Sequence, residues 1–277
     1  MKSLYEENGK RLLKKSFCAY LDVLGFSQKI KENNIAFFNL YLATLDNEIK
    51  YLSDMHDLNG NQGFKGFELK IFTDNFVLGH PWNDEFGESE LGNIFEILSH
   101  IQFGFAKKGI FFRGAISVSE LFMDQNIVLG PALIESYKLE SETAVFPRII
   151  LSKDVEKIVH EHINYYKPPT DSYQSKQYLI DIDGNYFVNY LYIILYQFST
   201  PTIGKVILEL NKHKKPIITN LKEHRNNFKL FEKYSWIAKY HNFFCDTFVA
   251  KQYTTIDLSK VKIPNTLYSK NIETLLR

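Results

Sequence analysis

Two aspartates occupy positions where an isolated carboxylate is costly. Asp22 lies inside the apolar segment 17–24, and Asp74 lies within Thr73-Asp74-Asn75, at the tip of a predicted hairpin. Desolvating an unpaired carboxylate costs free energy, and a hard cation such as Mg²⁺ or Mn²⁺ would offset that cost through its preference for oxygen ligands. Two such ions about 4 Å apart suit in-line attack at phosphorus. The pair therefore predicts phosphoryl chemistry, and the structural alternative is a salt-bridged aspartate plus an aspartate in a turn.

The elements that would position these aspartates follow from the hydrophobic pattern. Apolar runs and three- or four-residue spacings predict, in order, a strand at 17–24, a helix over 38–52, strands at 68–72 and 76–79, a helix over 91–106, a strand at 110–121, a helix from 130 and a strand at 148–151. The order β-α-β-β-α-β followed by α-β predicts an α+β fold of the ferredoxin-like, split βαβ kind. In such a sheet the first strand and the hairpin are neighbours, so Asp22 and Asp74 can converge.

The chain is predicted to contain two regions. Residues 1–151 hold the βαββαβ pattern, and residues 152–277 form a mainly helical, α-rich C-terminal extension of unknown role, with a small β pair turning at Asp183-Gly184. We expect Cys18 and Cys245 to be reduced and buried, because they lie far apart in sequence.

The composition limits the classes of partner. The 277 residues include 33 Lys and Arg and 32 Asp and Glu, a formal net charge of +1. A general binder of nucleic acid or of a membrane surface needs a basic excess, so neither partner is expected. The most hydrophobic run, 186–198, is shorter than the ~20 residues that span a bilayer, and the N-terminal residues lack the apolar core of a signal peptide. We therefore expect a cytoplasmic protein.

The segment around the first aspartate resembles a known motif. Asp22-Val23-Leu24-Gly25-Phe26-Ser27 resembles the first metal motif of class III nucleotidyl cyclases, and Asp74 matches the second metal ligand of that family. The resemblance implies two Mn²⁺ or Mg²⁺ ions held by Asp22, Asp74 and the carbonyl of Val23. It further implies that the backbone amides of Gly25, Phe26 and Ser27 bind the substrate triphosphate, for which a glycine and a helix start are suited.

Further segments resemble the pyrimidine cyclases of the Pycsar antiphage defence system. They are residues 112–116, 130–135, 139–140, 147–148 and, more loosely, 233–242. This resemblance implies conversion of UTP or CTP to the 3′,5′-cyclic monophosphate and pyrophosphate. It also implies a homodimer with the pocket between two subunits, and a separate effector protein that senses the product in infected bacteria.

The sequence departs from the cyclase pattern at several positions. Asn75 stands where Ser is expected, and Ile134 and Lys138 stand where purine cyclases carry an Asn and an Arg. Lys138 or Arg113 must then act as the catalytic cation. A cyclase-fold module that binds nucleotides without turnover is the alternative that this departure supports. A palm-type polymerase or diguanylate cyclase shares the element order but is disfavoured, because no Gly-Gly-Asp-Glu-Phe-like turn occurs.

Each of two cationic residues, Lys70 and Arg113, could have a functional or a structural role. Lys70, four residues before Asp74, could read a pyrimidine carbonyl, favour ATP and so a purine cyclase, or lie in solvent. Arg113 shares a strand face with Ala115 and Ser117, whose small side chains would leave room for a ligand. A salt bridge from Arg113 to a helix glutamate, Glu135 or Glu140, is its structural alternative.

Two other groups of residues are predicted to be structural. His241 and Cys245, one helical turn apart among aromatic residues, predict core packing. The run Lys212-His213-Lys214-Lys215 predicts a solvated helix face.

Overall fold

The computed structural model describes residues 3–32, 34–58, 66–83, 87–168, 172, 174–196 and 201–268. The chain divides into two compact units. Unit 1 comprises Met1–Gln102 and Phe111–Tyr190, and unit 2 comprises Phe103–Ile110 and Leu191–Arg277. The predicted division at residue 151, between a cyclase domain and a mainly helical extension, stays a prediction.

Unit 1 combines one large sheet with helices. Its strands are β1 (Glu6–Glu7), β2 (Lys10–Arg11), β3 (Lys14–Val23), β4 (Glu68–Phe72), β5 (Asn75–Pro81), β6 (Phe112–Met123), β7 (Val128–Leu129), β8 (Ile149–Leu151), β9 (Tyr178–Ile180) and β10 (Tyr186–Val188). Its helices are α1 (Phe26–Lys31), α2 (Ile35–Leu58), α3 (Gly87–Ala106), α4 (Pro131–Glu142) and α5 (Lys153–Asn164), although the last turn of α3 belongs to unit 2. The prediction of a mixed α+β protein is confirmed.

The sheet runs in the order β4-β5-β3-β6-β8-β10-β9, with β7 paired to β6 alone. Neighbouring strands are antiparallel except β6 and β8, which are parallel. β3 lies between β5 and β6, so the strand that carries Asp22 has a partner on both sides. The hairpin between β4 and β5 turns at Thr73 and Asp74, where Thr73 has a left-handed φ of 57°.

Both faces of β3 are buried, which explains its nearly continuous apolar sequence. On one face, the Phe76 ring of β5 packs edge-on against Phe112 of β6 and Tyr41 of α2, with centroids 4.9 and 6.5 Å apart. On the other face, Cys18 and Tyr20 belong to a cluster completed by Tyr5, Val77, Leu121, Phe122, Met123 and Ala132. The Cys18 thiol is free and buried, and burial raises its pKa to about 12.

Unit 2 consists of helices α6 (Ile203–Glu223), α7 (Phe228–Phe244) and α8 (Ala250–Gln252), with a π-helical turn over Cys245–Val249. The inserted segment Phe103–Ile110 packs within this unit, because Lys107 Nζ lies 3.7 Å from Glu209 Oε2 and the Phe103 ring lies 6.3 Å from the His213 ring. Within the described ranges, none of the helices combines the length and the hydropathy required to cross a membrane.

Candidate active site

The site is built where β3 ends between its two partner strands. Asp22, next to last in β3, lies directly opposite Asn75 on β5 and Arg113 on β6. Residues opposite one another in adjacent strands project from the same face of the sheet. The register therefore brings a carboxylate, an amide and a guanidinium together on one face.

Asp74 approaches Asp22 from the β4–β5 turn. The backbone amide of Val23 donates to the Asp74 carbonyl at 3.2 Å, which joins the end of β3 to this turn. Burial raises the pKa of Asp22, Arg113 beside it opposes the rise, and the interacting carboxyl of Asp74 adds to it. The structure thus brings the two aspartates together, 52 positions apart in the chain, as the predicted topology requires.

Arg113 forms ion pairs with two carboxylates. Its Nε lies 3.0 Å from Asp22 Oδ2, and its Nη2 lies 2.8 Å from Glu140 Oε1 on α4. The Glu140 side chain is only 5% exposed, against 28% for Arg113. Of the two glutamates considered as structural partners, the structure selects Glu140. Glu135 lies elsewhere on α4, where burial and the charge of Asp154 raise the pKa of its carboxyl.

The expected room for a ligand beside Ala115 and Ser117 is absent. Both side chains are fully buried, and Ser117 Oγ donates to the Ala132 carbonyl of α4 at 2.6 Å. That prediction was wrong because small side chains on a strand also allow a helix to pack closely, and here α4 does so. Arg113 and Asp22, nearer the strand ends, stay partly exposed.

Three residues that were not predicted as site residues complete the arrangement, namely Tyr20, Thr73 and Asn75. Tyr20 Oη donates to Asn75 Oδ1 at 2.7 Å, and the Asn75 amide donates to Thr73 Oγ1 at 3.2 Å. Burial, with the negative charges of Glu140 and Asp22, raises the pKa of Tyr20 to about 12, so its hydroxyl stays protonated. Strand alternation, which puts Tyr20 on the face of Asp22, is the sequence signal that could have identified it.

The segment predicted to bind triphosphate follows β3. Gly25 has a left-handed φ of 74°, and a Cβ at this position would meet no atom within 4 Å, so the backbone is open to approach. The Phe26 ring packs against Phe37 and Tyr41 of α2, with centroids 5.8 and 5.2 Å away. The Ser27 side chain is exposed. The Phe26 side chain therefore anchors α1, and only its backbone is available to a ligand.

The two candidate lysines lie on β4 and α4. Lys70 is half-buried opposite Val77. The pKa of Asp124 is lowered mainly by hydrogen bonds from the backbone amides of Asn126 and Ile127. The positive charge of Lys70 makes a smaller contribution in the same direction. Lys138 is exposed on α4. Among the described ion pairs, neither lysine is joined to Asp22 or Asp74.

The donor set fits an oxygen-preferring cation in part. Across the described residues, no group of three or more His, Cys, Asp or Glu side chains could hold a metal ion. Asp22 and Asp74 nevertheless present two interacting carboxyls whose burial and repulsion raise the pKa of Asp22. A divalent cation would offset both effects.

Comparisons with known proteins give structural likenesses but no match in sequence. No protein-family model and no curated protein matches the chain. Among solved structures, the crystal structure of the guanylyl cyclase Cya2 aligns with 12% sequence identity and a TM-score of 0.38, covering 53% of this chain and 78% of that chain. These values do not show a shared family, so a proposal about function has to stand on the geometry of the site.

Proposed function

We propose that the chain is a nucleotidyl cyclase of the class III type. The observation that carries the proposal is that β3 meets the β4–β5 turn, where the Val23 amide donates to the Asp74 carbonyl at 3.2 Å and the Asp74 carboxyl adds to the raised pKa of Asp22. The strand order β4-β5-β3-β6 with antiparallel neighbours supports the proposal, because it is compatible with the ferredoxin-like, split βαβ sheet that the sequence predicts. That sheet is the one in which the cyclase resemblance places its two metal-binding acids.

Asp22, Asp74 and the carbonyl of Val23 would hold the two Mn²⁺ or Mg²⁺ ions. When bound, such ions supply Lewis acidity for attack of the ribose 3′-hydroxyl on the α-phosphorus and neutralise charge on the phosphates. Arg113 orients the Asp22 carboxylate through its Nε, at 3.0 Å. The amides at Gly25, Phe26 and Ser27 would bind the triphosphate, and the partly exposed Arg113 or the exposed Lys138 would stabilise charge that develops during the reaction.

The proposed substrate is UTP or CTP, and the products are the 3′,5′-cyclic monophosphate and pyrophosphate. The sequence segments shared with Pycsar pyrimidine cyclases support this choice. Under this proposal the cyclic nucleotide is a second messenger of antiphage defence in the cytoplasm, sensed by a separate effector protein. A homodimer that completes the pocket is part of the proposal, so activity per molecule should fall on dilution. Full activity from a species that light scattering shows to be monomeric would contradict the dimer.

The test of activity is incubation with each of the four ribonucleoside triphosphates and Mn²⁺, with products resolved by mass. We expect a cyclic pyrimidine nucleotide, and a cyclic purine nucleotide would instead support the ATP reading of Lys70. Asp22→Asn and Asp74→Asn should each lower turnover by at least about 100-fold, since each removes a charged metal ligand. Asp46→Asn, on the exposed face of α2, is the matched control and should keep normal turnover.

A second candidate is a cyclase-fold module that binds nucleotides without turnover. It is favoured by the ion pair of Arg113 with Asp22, which already compensates one of the two acids, and by Ile134 and Lys138 at the positions of the Asn and Arg of purine cyclases. Calorimetric binding of UTP or CTP with no product after prolonged incubation would support this candidate over the enzyme.

A further inference from the structure

Basic residues are concentrated in unit 2. Of the 33 Lys and Arg in the chain, 16 lie in unit 2, but only 6 of the 32 Asp and Glu do. Unit 1 therefore carries 17 basic and 26 acidic residues. The formal net charge of +1 is the sum of +10 in unit 2 and −9 in unit 1, so it does not describe the surface that either unit presents to a partner.

Helix α6 carries much of this charge on one face. Its buried residues are Val206, Leu210, His213, Ile217, Asn220 and Leu221. Its exposed residues between positions 205 and 222 are Lys205, Leu208, Lys212, Lys215, Thr219 and Lys222. Their alternating spacing of three and four places all six on one side of an α-helix. We call Lys205, Lys212, Lys215 and Lys222 the lysine stripe.

The stripe serves the stability of its own helix only in part, since Lys222 alone lies in the last turn, where the helix dipole favours a cation. Lys205 lies in the first turn, where the helix dipole disfavours a cation, and that turn holds no acidic residue. Lys212 and Lys215 are like charges one turn apart, an arrangement that costs a few tenths of a kcal/mol. Glu209 lies beside the stripe and pairs with Lys212 at 2.7 Å, but an exposed pair of this kind contributes little. A ligand of opposite charge would account for the pattern.

We propose that the lysine stripe binds the phosphate backbone of a nucleic acid, independently of base sequence. The stripe spans 17 residue steps of α6, or ~26 Å of helix, along which duplex DNA presents one charge per ~1.7 Å of its axis. Lysine is a flexible point charge without the planar fork of arginine, which suits contact with phosphates and not with base edges.

A membrane surface fits the stripe less well. A helix that lies in a lipid interface inserts an apolar face, whereas the apolar face of α6 is buried inside unit 2 and the exposed side offers only Leu208. The proposal departs from the expectation that the chain binds no nucleic acid, because that expectation used the net charge of the whole chain. It does not depend on the proposed cyclase activity.

The test uses the full-length protein and a fluorescent duplex DNA of about 24 base pairs, with binding followed by anisotropy at about 50 to 200 mM salt. Four phosphate contacts predict a slope near −3.6 for the logarithm of the binding constant against that of the salt concentration. Replacing all four stripe lysines by Gln should weaken binding by at least about 10-fold and flatten this slope. Glutamine is as good a helix former as lysine, so α6 should stay folded, which circular dichroism checks.

A matched control removes the same charge from unit 1. Lys31, Lys50, Lys153 and Lys157 are exposed there, and their combined replacement by Gln should leave the affinity within about twofold. Equal losses in the two variants would overturn the stripe as the binding surface. The proposal would equally be overturned by undetectable binding at about 50 mM salt, or by binding to anionic vesicles without binding to DNA.

Discussion

Asp22 and Arg113 lie directly opposite each other on β3 and β6, with Arg113 Nε 3.0 Å from Asp22 Oδ2. The same guanidinium reaches Glu140, and the carboxyl of Asp74 interacts with that of Asp22. The linked groups are therefore three carboxyls and one cation, and the cation pairs directly with two of those carboxyls. The local excess of negative charge is what a site for a divalent cation requires.

Replacing Arg113 by Gln should lower the free energy of unfolding by about 2 kcal/mol, because Glu140 is buried and would lose its cation. The loss is smaller than for a fully buried pair, since Arg113 is 28% exposed. Arg113→Lys keeps the charge but cannot span both carboxylates, so we expect about half of that loss. Urea unfolding with Mn²⁺ present and absent measures both effects.

Mn²⁺ should raise the urea midpoint of Arg113→Gln more than that of the wild type, since the variant leaves Asp22 without its arginine. The increase should disappear when Asp22→Asn is added. An unchanged midpoint for Arg113→Gln without metal would show that these ion pairs do not stabilise the fold.

Gly114, the residue after Arg113, is expected to tolerate no side chain. A Cβ there would lie 2.5 Å from the Tyr20 carbonyl and 2.7 Å from Leu21 Cδ2, and backbone cannot yield as a flexible side chain can. Gly114→Ala should destabilise the protein by about 1–3 kcal/mol. Thermal unfolding measures the change.

Gly204→Ala is the matched control for Gly114→Ala. Gly204 lies in the first turn of α6, and a Cβ there would meet no atom within 4 Å. Alanine should stabilise that helix by up to about 1 kcal/mol. Similar losses at both positions would mean that close packing between β3 and β6 is not the cause.

Unit 2 is expected to lose stability in acid, because the rings of His213 and His241 form a buried contact. Their Nδ1 atoms lie 2.9 Å apart, and His241 Nε2 lies 3.0 Å from the Val261 carbonyl. A carbonyl only accepts, so His241 carries its proton on Nε2, and His213 donates from Nδ1 to His241 Nδ1. Protonation of His241 on Nδ1 would put two donors against each other, whereas protonation of His213 on Nε2 would keep this hydrogen bond but place a charge in a buried contact.

Burial lowers the pKa of both rings, that of His241 to about 4. Between pH 6.5 and 4 these two histidines therefore bind more protons in the unfolded chain than in the folded one. Their contribution to the free energy of unfolding is complete above pH 6.5 and is lost as the pH falls towards 4. His241 alone accounts for about 3 kcal/mol over that range. Urea unfolding at several pH values, followed by Trp236 fluorescence in a Trp82→Phe background, measures the slope.

The double variant His213→Gln/His241→Gln should flatten this slope, although it will also be less stable at neutral pH. His160→Gln, on the exposed face of α5, should keep the wild-type slope. A double variant with an undiminished slope would assign the acid sensitivity to other groups.

Local pattern was sufficient to predict that the strand of Asp22 lies beside the hairpin that carries Asp74. The apolar run around Asp22 and the turn residues around Asp74 identify adjacent strands, and antiparallel pairing then fixes the register. The partner of Arg113 could not be chosen in advance, because Glu135 and Glu140 lie on one helix and its rotation about its axis depends on packing. Small residues in β6 carried the same ambiguity, since they accommodate either a ligand or a helix.

The contact between His213 and His241 was beyond prediction for another reason. The two residues are 28 positions apart on different helices, and nothing in their local sequence specifies how α6 and α7 are paired. The sequence predicts a solvated face for Lys212-His213-Lys214-Lys215 and core packing for His241 and Cys245, and it does not link the two. The structure shows that His213 belongs to the core and its lysine neighbours to the surface.

The chain passes between the two units at three places, because Phe103–Ile110 belongs to unit 2 while residues on both sides of it belong to unit 1. No single cut can therefore release either unit intact. A fragment that begins at Leu191 would lack the inserted segment that Glu209 and His213 contact. The helical unit is thus not a module that could be cut from the gene, or transplanted into another, as one continuous segment.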